Sequence, residues 1–503
     1  LHGDTGSGKT RLYIELTEKT LKNGKSAIIL TPEIGLTAQL AQEFKASFGD
    51  RVIITHSQLT PAERRRTWQQ LLTATQPLVV IGPRSALFSP LNNIGLIVID
   101  ESHDGSYKQN DAPHYSAITT AAKLAELSSC PLILGSATPS INDYFMAKSR
   151  VRPILRLSKP AIKTTQSQVR LIIIDIKERN QFKRSQLLSE KLIEYCEEAL
   201  ARKEQILLFL NRRGTARVTI CADCGWNAVC PHCNLPLTYH GDTHLLRCHS
   251  CNYHQLPVSK CPNCGSSEIN FKGSGTKAIE VEVKKLFPKA VTRRFDNDNP
   301  KRDRLEQAYD QLKSGKVDII VGTQAVAKGL DLPKLTVVGV ITADISLYLP
   351  DFSADERTYQ LIRQVIGRVG RGHRPGTALI QTYNPDNPII QAAVYGDYES
   401  FYRHELAARQ KFNFPPARHM LKLTIGRASA NSAEAACAKL KLMLEQFNLK
   451  IMIDGPSPCF HETKNGKHYW QLVLRANQRS ELLAALSRVP VGTASELDPV
   501  SLL

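Results

Sequence analysis

Eight residues near the start of this chain constrain its fold more than any others. Gly3-Asp4-Thr5-Gly6-Ser7-Gly8-Lys9-Thr10 satisfies G-x-x-x-x-G-K-[ST] at every position. Glycines at these places let backbone N–H groups turn inward around a polyphosphate, at the positive end of the helix that follows. Lys9 then reaches the β and γ phosphates, and the Thr10 hydroxyl holds Mg²⁺. Gly3, Gly6, Ser7, Gly8, Lys9 and Thr10 are therefore expected to bind ATP with Mg²⁺. Such a loop joins a strand to a helix in a parallel sheet, so an α/β fold is required. The helix is expected over 11–21. Only Leu1 and His2 precede the loop. The strand that should carry it is expected to be missing, as in an N-terminally truncated chain.

The rest of residues 1–145 fits a doubly wound sheet. Short runs of Ile, Val and Leu at 26–30, 51–56, 77–82, 95–100 and 131–136 lack polar alternation. That is how parallel strands buried on both faces read. Helices are expected between them, at 61–73 and 116–127. A polar stretch at 146–185 contains one strand, 169–174. The α/β pattern then resumes with a helix at 187–201 and strands at 205–210, 317–322, 335–341 and 377–382. After 395 the order becomes mixed: strands at 420–425, 450–454 and 469–475, helices at 432–446 and 479–486. Pro415-Pro416 marks a rigid joint before it. The expected division is 1–150, a first lobe; 151–215 with 273–395, a second lobe; 216–272, a Cys-rich insertion; and 396–503, a C-terminal α+β domain.

Composition agrees. The 503 residues are 42% hydrophobic, enough for several cores. No stretch approaches the ~20 apolar residues of a membrane-spanning helix. The opening residues lack the basic and apolar segments of a secretory signal. The formal charge of +18 points to a polyanionic partner, most simply nucleic acid.

A second chemical feature follows. Ile97-Val98-Ile99-Asp100-Glu101-Ser102-His103 is an apolar strand ending in two carboxylates. Asp100 at the strand end suits Mg²⁺, and Glu101 suits orienting or deprotonating the attacking water.

The insertion holds Cys221, Cys224, Cys230, Cys233, Cys248, Cys251, Cys261 and Cys264, four C-x-x-C pairs. Eight thiolates make two Cys₄ sites, the arrangement structural zinc favours. Disulfides fit poorly with a nucleotide-dependent enzyme expected in a reducing cytoplasm. Gly241-Asp242 signals a two-residue hairpin between 237–240 and 243–246. That hairpin carries Cys230 and Cys233 back beside Cys248 and Cys251, leaving Cys221, Cys224, Cys261 and Cys264 for the other site. His232, His240, His244, His249 and His254 are expected at the surface or facing DNA. Cys130, Cys196, Cys437 and Cys459 are expected to be buried bystanders.

Asp100-Glu101-Ser102-His103 resembles the D-E-x-H signature of superfamily-2 helicases. Further motifs follow in the order of that superfamily. Ser136-Ala137-Thr138 is similar to its S-A-T coupling motif. Val321-Gly322-Thr323-Gln324 with Ala327-Lys328-Gly329 is similar to its second-lobe nucleic-acid motif. Gln364-Val365-Ile366-Gly367-Arg368-Val369-Gly370-Arg371 matches Q-x-x-G-R-x-G-R. The resemblance implies two RecA-like lobes, with Gln364 at the nucleotide and Arg368 and Arg371 stabilising the γ-phosphate's transition-state charge.

Other segments narrow the resemblance to the PriA (primosomal protein N′) family of replication-restart helicases. They are Thr31-Pro32-Glu33-Ile34-Gly35-Leu36-Thr37, Gly82-Pro83-Arg84-Ser85-Ala86-Leu87-Phe88, Ser106-Tyr107-Lys108-Gln109, Leu208-Phe209-Leu210-Asn211-Arg212-Arg213-Gly214 and the zinc cysteines. The family implies an ATP-dependent 3′→5′ DNA helicase, cytoplasmic and nucleoid-associated, acting at stalled or abandoned forks in primosome assembly. It implies forked and single-stranded DNA, single-stranded DNA-binding protein and other primosome proteins as partners. It also implies the nested cysteine pairing, and a hairpin tip at 239–243 suited to separate strands. A fork-binding platform with dispensable ATPase activity, or another superfamily-2 motor, are the rival readings. The chain departs from the family at Ser102, where Glu is usual, and at Leu330 and Leu332, where His and Phe are usual. Ile118-Thr119 replaces an Arg-Asp pair after the aromatic loop that holds Tyr107 and Tyr115. The family's N-terminal DNA-binding part and winged-helix module have no counterpart in these 503 residues.

Overall fold

The computed structural model describes residues 1–503 except 5, 33, 110, 112, 158–168, 211–218, 242, 271–275, 297–304, 328–331 and 371–374, and the side chains of 34–39, 270, 305–307, 325 and 327. The chain forms two compact units, Leu1–Thr165 and Gln166–Leu503. No described helix is long and apolar enough to cross a membrane.

The first unit is built on a five-stranded, all-parallel sheet. Its spatial order is Val52–Ile54, Val79–Gly82, Ser26–Leu30, Ile94–Ile99 and Leu132–Leu134. Alternate residues of one strand face opposite sides. Ile28, Leu30, Ile97 and Ile99 pack with Ala117, Ala121 and Ala125 on one face. Ala27, Ile29, Leu96 and Val98 pack with Tyr13, Leu21 and Phe44 on the other. Both faces are covered, which explains the continuous apolar runs. The helix Pro61–Leu72 starts where Thr60 and Glu63 form a reciprocal capping box. Where the sequence suggested no strand before the phosphate loop, a two-residue strand, His2–Gly3, pairs in parallel with Arg156–Leu157 and bridges to Ser136.

The second unit contains a six-stranded parallel sheet. Its order is Thr292–Phe295, Ile319–Gly322, Gln205–Phe209, Leu335–Val340, Thr377–Thr382 and Arg170–Asp175. The fold is thus α/β with two RecA-like parallel-sheet lobes. A Cys-rich insertion lies within the second, and a C-terminal α+β domain follows. That domain has an antiparallel sheet ordered Ile451–Lys464, Lys467–Ala476, His419–Arg427 and Ala494–Leu497. The helices Ala430–Glu445 and Arg479–Leu486 supply Cys437, Leu440 and Leu482 to its core. The helix Tyr398–Lys411 packs on Ala354–Ile366 through Tyr359 and Phe401, stacked 4.1 Å apart.

The insertion hairpin departs from expectation. Thr238–His240 pairs with Leu245–Arg247, and His240 faces Leu245. The connection is therefore four residues long, 241–244, not two. His244 takes a left-handed conformation (φ 51°) and its Nδ1 lies 3.0 Å from the Tyr239 hydroxyl, which closes the longer loop.

Candidate functional site

Helix Lys9–Lys22 begins directly out of the phosphate loop, with Gly8 as its cap at φ 89° and Gly6 at φ 80°. These conformations strain any residue with a Cβ, so glycine is required. Gly3 lies under the loop, where a Cβ would sit 2.5 Å from the Ser7 hydroxyl. Lys9 is buried and its ammonium donates to the Gly3 carbonyl at 2.7 Å. Thr10 is in the same first turn. Lysine and hydroxyl thus stand at a helix N-terminus, where backbone dipoles favour anions.

Asp100 and Glu101 follow the end of the strand Ile94–Ile99, next to the central strand, and Asp100 N–H donates to Leu30 O. Burial, then the neighbouring charge of Glu101, pushes the Asp100 carboxyl above its ordinary range; Lys9 and a hydrogen bond from Tyr13 oppose this. Glu101 has φ 45°, uncommon for a residue with a side chain. That turn sends the chain to His103, whose side chain is 3% exposed and whose Nδ1 lies 3.5 Å from the Glu101 carboxylate. The same nitrogen is 2.7 Å from the Ser136 hydroxyl. Ser102 is buried and its amide donates to Gly135 O, so this position accepts a small side chain in place of Glu. The structure therefore brings Lys9, Thr10, Asp100, Glu101, His103 and Ser136 together beyond the carboxyl ends of the parallel strands.

Two contacts were not legible beforehand. Tyr13 donates to Asp100 Oδ1 at 3.0 Å from 87 residues away. Arg84 donates to Ser106 O at 2.6 Å and to Gln109 Oε1 at 3.3 Å, holding the loop after His103. In that loop Tyr107 is buried and donates to Asp100 O at 2.6 Å, so its ring is not presented to a base. Tyr115 instead packs edge-on against the exposed Phe88.

In the second unit Gln364 lies on the helix Ala354–Ile366, and Arg368 in the turn after it. Arg371 lies outside the described residues, as do Thr5, Glu33, Asn211, Arg212, Arg213, Gly214, Asp242, Lys328, Gly329 and Leu330. Leu332 is buried.

The eight insertion cysteines gather into two groups, Cys221, Cys224, Cys261 and Cys264, and Cys230, Cys233, Cys248 and Cys251. Within each group the sulfurs all lie within 4.8 Å of one another. Sγ atoms of Cys221 and Cys264 are 3.6 Å apart, those of Cys224 and Cys261 3.5 Å, and those of Cys230 and Cys251 3.6 Å. Tetrahedral zinc with bonds of about 2.3 Å sets sulfurs about 3.8 Å apart, so the groups fit that ion. Each C-x-x-C closes in the same turn. The amides of Gly225, Asn234, Asn252 and Gly265 donate to the carbonyls of Cys221, Cys230, Cys248 and Cys261. All four of these residues have positive φ, which glycine and asparagine tolerate best. The expectation that the nearby histidines are surface groups is corrected for two. His240 and His249 are buried against the C-terminal domain. His240 Nδ1 lies 2.9 Å from Glu462, and His249 O accepts from Gln471 Nε2 at 2.7 Å. Leu237 and Leu246 share a core with Met420 and Val473. The basic cause is packing: the small insertion buries its apolar face on a neighbour. Among the other cysteines, Cys196, Cys437 and Cys459 are buried and Cys130 half-buried.

Comparison with known proteins places this geometry. Residues 1–146 match a DEAD/DEAH box helicase model, 274–373 a helicase conserved C-terminal domain, 230–255 the PriA DNA helicase Cys-rich region domain, and 410–501 the primosomal protein N C-terminal domain. The replication restart protein PriA of Treponema pallidum is 36% identical over 513 residues, covering 100% of this chain and 77% of that protein. The chain belongs to the PriA family. The PriA of Chlamydia trachomatis is 37% identical, with 100% of this chain and 68% of that protein covered. The Bacillus subtilis PriA is 40% identical over 494 residues, with 97% of this chain covered. The chain spans 61% of the length of that Bacillus relative.

Proposed function

We propose that this PriA-family chain is an ATP-driven 3′→5′ DNA helicase that acts at stalled or abandoned replication forks during primosome assembly, in the cytoplasm on the nucleoid. The observation that supports it best is the convergence of Lys9, Asp100, Glu101 and the His103–Ser136 contact at the carboxyl ends of the parallel strands. The loop amides after Gly3 and the Lys9 ammonium bind the substrate's phosphates, which replace the Gly3 carbonyl as the ammonium's acceptor. Thr10 and Asp100 would hold Mg²⁺, and the ion would supply positive charge against that building up as the phosphoryl group is transferred. Glu101 accepts the attacking water's proton. Gln364, Arg368 and Arg371 are assigned to the nucleotide as well, the arginines to its transition-state charge. The two cysteine groups hold two Zn²⁺ ions as structural staples, each on the order of 10 kcal/mol for a segment with little core of its own. We assign residues 1–150 to the first lobe, 151–215 with 273–395 to the second, 216–272 to the zinc insertion and 396–503 to the C-terminal domain.

DNA partners are single-stranded and forked DNA, held mostly at phosphates, so binding weakens steeply with salt. Single-stranded DNA-binding protein and other primosome proteins are proposed protein partners. A strand-displacement assay tests the reading. Forks with a free 3′ tail on the tracked strand are unwound in the presence of ATP, and those with only a 5′ tail are not. DNA binding without any displacement favours the platform reading instead.

A further inference from the structure

The least expected contact in the first unit joins its two phosphate-site elements from within. Tyr13 stands on the helix Lys9–Lys22, one turn beyond Lys9 and so on the same helix face. Its side chain is fully buried. Its hydroxyl leaves the apolar core and donates to Asp100 Oδ1 at 3.0 Å. Space for it is kept by Gly135, where a Cβ would lie 1.7 Å from the Tyr13 hydroxyl oxygen. Tyr107 fixes the backbone of the same aspartate through Asp100 O. Core packing alone needs only the ring, and phenylalanine fills the same volume without a buried polar atom to satisfy.

We propose that Tyr13 is a positioning residue for the metal–nucleotide complex, its hydroxyl fixing the plane of the Asp100 carboxylate relative to Lys9 and Thr10. This rests on the reading of Asp100 as a magnesium-holding carboxylate. Partners behind a metal-holding side chain typically matter about 10- to 100-fold in metal affinity.

The test measures binding of a fluorescent ADP analogue to the full chain, in Mg²⁺ and in EDTA, for the unaltered protein and Tyr13→Phe. The unaltered chain binds more tightly in Mg²⁺. In Tyr13→Phe the affinity in EDTA is unchanged and the gain from Mg²⁺ shrinks about tenfold or more. In an Asp100→Asn background the same substitution changes nothing further. An undiminished Mg²⁺ gain in Tyr13→Phe, an equal loss in EDTA, or an additive loss with Asp100→Asn overturns the inference. A wild-type chain that binds nucleotide without any Mg²⁺ gain overturns the reading of Asp100, and the inference with it.

Discussion

His103 Nδ1 lies 2.7 Å from the hydroxyl of Ser136, and this contact ties the acidic strand end to the Ser136-Ala137-Thr138 turn. The hydroxyl already accepts the Thr138 amide at 2.9 Å, so its own proton can be given to the imidazole. Nδ1 is also 3.5 Å from Glu101, the proposed base. Ser136 and the proposed base thus share one histidine as neighbour, which is the route by which a change at Glu101 would reach the Ser136 turn. Replacing Ser136 by Ala is expected to preserve nucleotide binding and most ATP turnover while lowering unwinding about 5- to 100-fold. Parallel ATPase and strand-displacement assays check this; equal losses in both contradict it.

Gly135 offers a second test, of packing. A methyl there meets the Tyr13 hydroxyl at 1.7 Å and its ring carbon at 2.9 Å. Gly135→Ala is expected to cost about 1–3 kcal/mol or more through overpacking, seen as a lower Tm. Tyr13→Phe in the same chain recovers only part, because the ring remains in the way.

The zinc sites differ in accessibility. Cys264 is exposed, whereas Cys230, Cys233 and Cys248 are all buried. A chelator with a colorimetric readout is expected to release two zinc ions per chain in two phases. Cys264→Ser should remove the fast phase and leave the slow one. The slow phase should coincide with loss of the C-terminal domain's packing, since His249 and Ser250 bond to Gln471 and Arg475.

Arg409 is 3% exposed and donates to Glu405 at 2.6 Å and Glu356 at 2.7 Å. Removing it leaves two buried carboxylates without this cation, Glu356 still accepting from the Gln360 amide at 3.1 Å. Arg409→Met is expected to cost about 3–5 kcal/mol, and adding Glu356→Leu and Glu405→Leu to recover much of it. Denaturant midpoints of the second unit's transition check the pair of outcomes.

Local signals made much of this fold legible. The strand Ser26–Leu30, the strand Thr377–Thr382 and the helix Arg479–Leu486 have the bounds that apolar runs and periodicity suggest. The helix Ala354–Ile366 was not legible, because nine of its residues are buried, including Glu356, Thr358 and Gln360. Its apolar Leu361, Ile362, Val365 and Ile366 recur at helical spacing, but the polar Glu356, Thr358 and Gln360 share the buried surface and mask it in the sequence. The strand Ile451–Lys464 runs ten residues beyond the expected end at 454. Gly455, Pro456 and Pro458 read as a turn, yet the strand passes through them with two register shifts. Chemistry showed the same division. Lys9, Asp100 and the cysteines lie in short motifs whose spacing carries their role. Tyr13, Arg84 and His249 act on partners far along the sequence that only the folded chain brings near; of the three only Arg84 lies in a segment the sequence singled out, and its contacts were not readable there. The repeated Gly or Asn directly after each C-x-x-C was a usable signal for the zinc turns.

Steady-state ATP hydrolysis, with and without single-stranded or forked DNA, tests the central claim most directly. The account predicts that DNA raises turnover severalfold, and that Lys9→Ala abolishes turnover while DNA binding persists. A rate that ignores DNA, or survives Lys9→Ala, contradicts it.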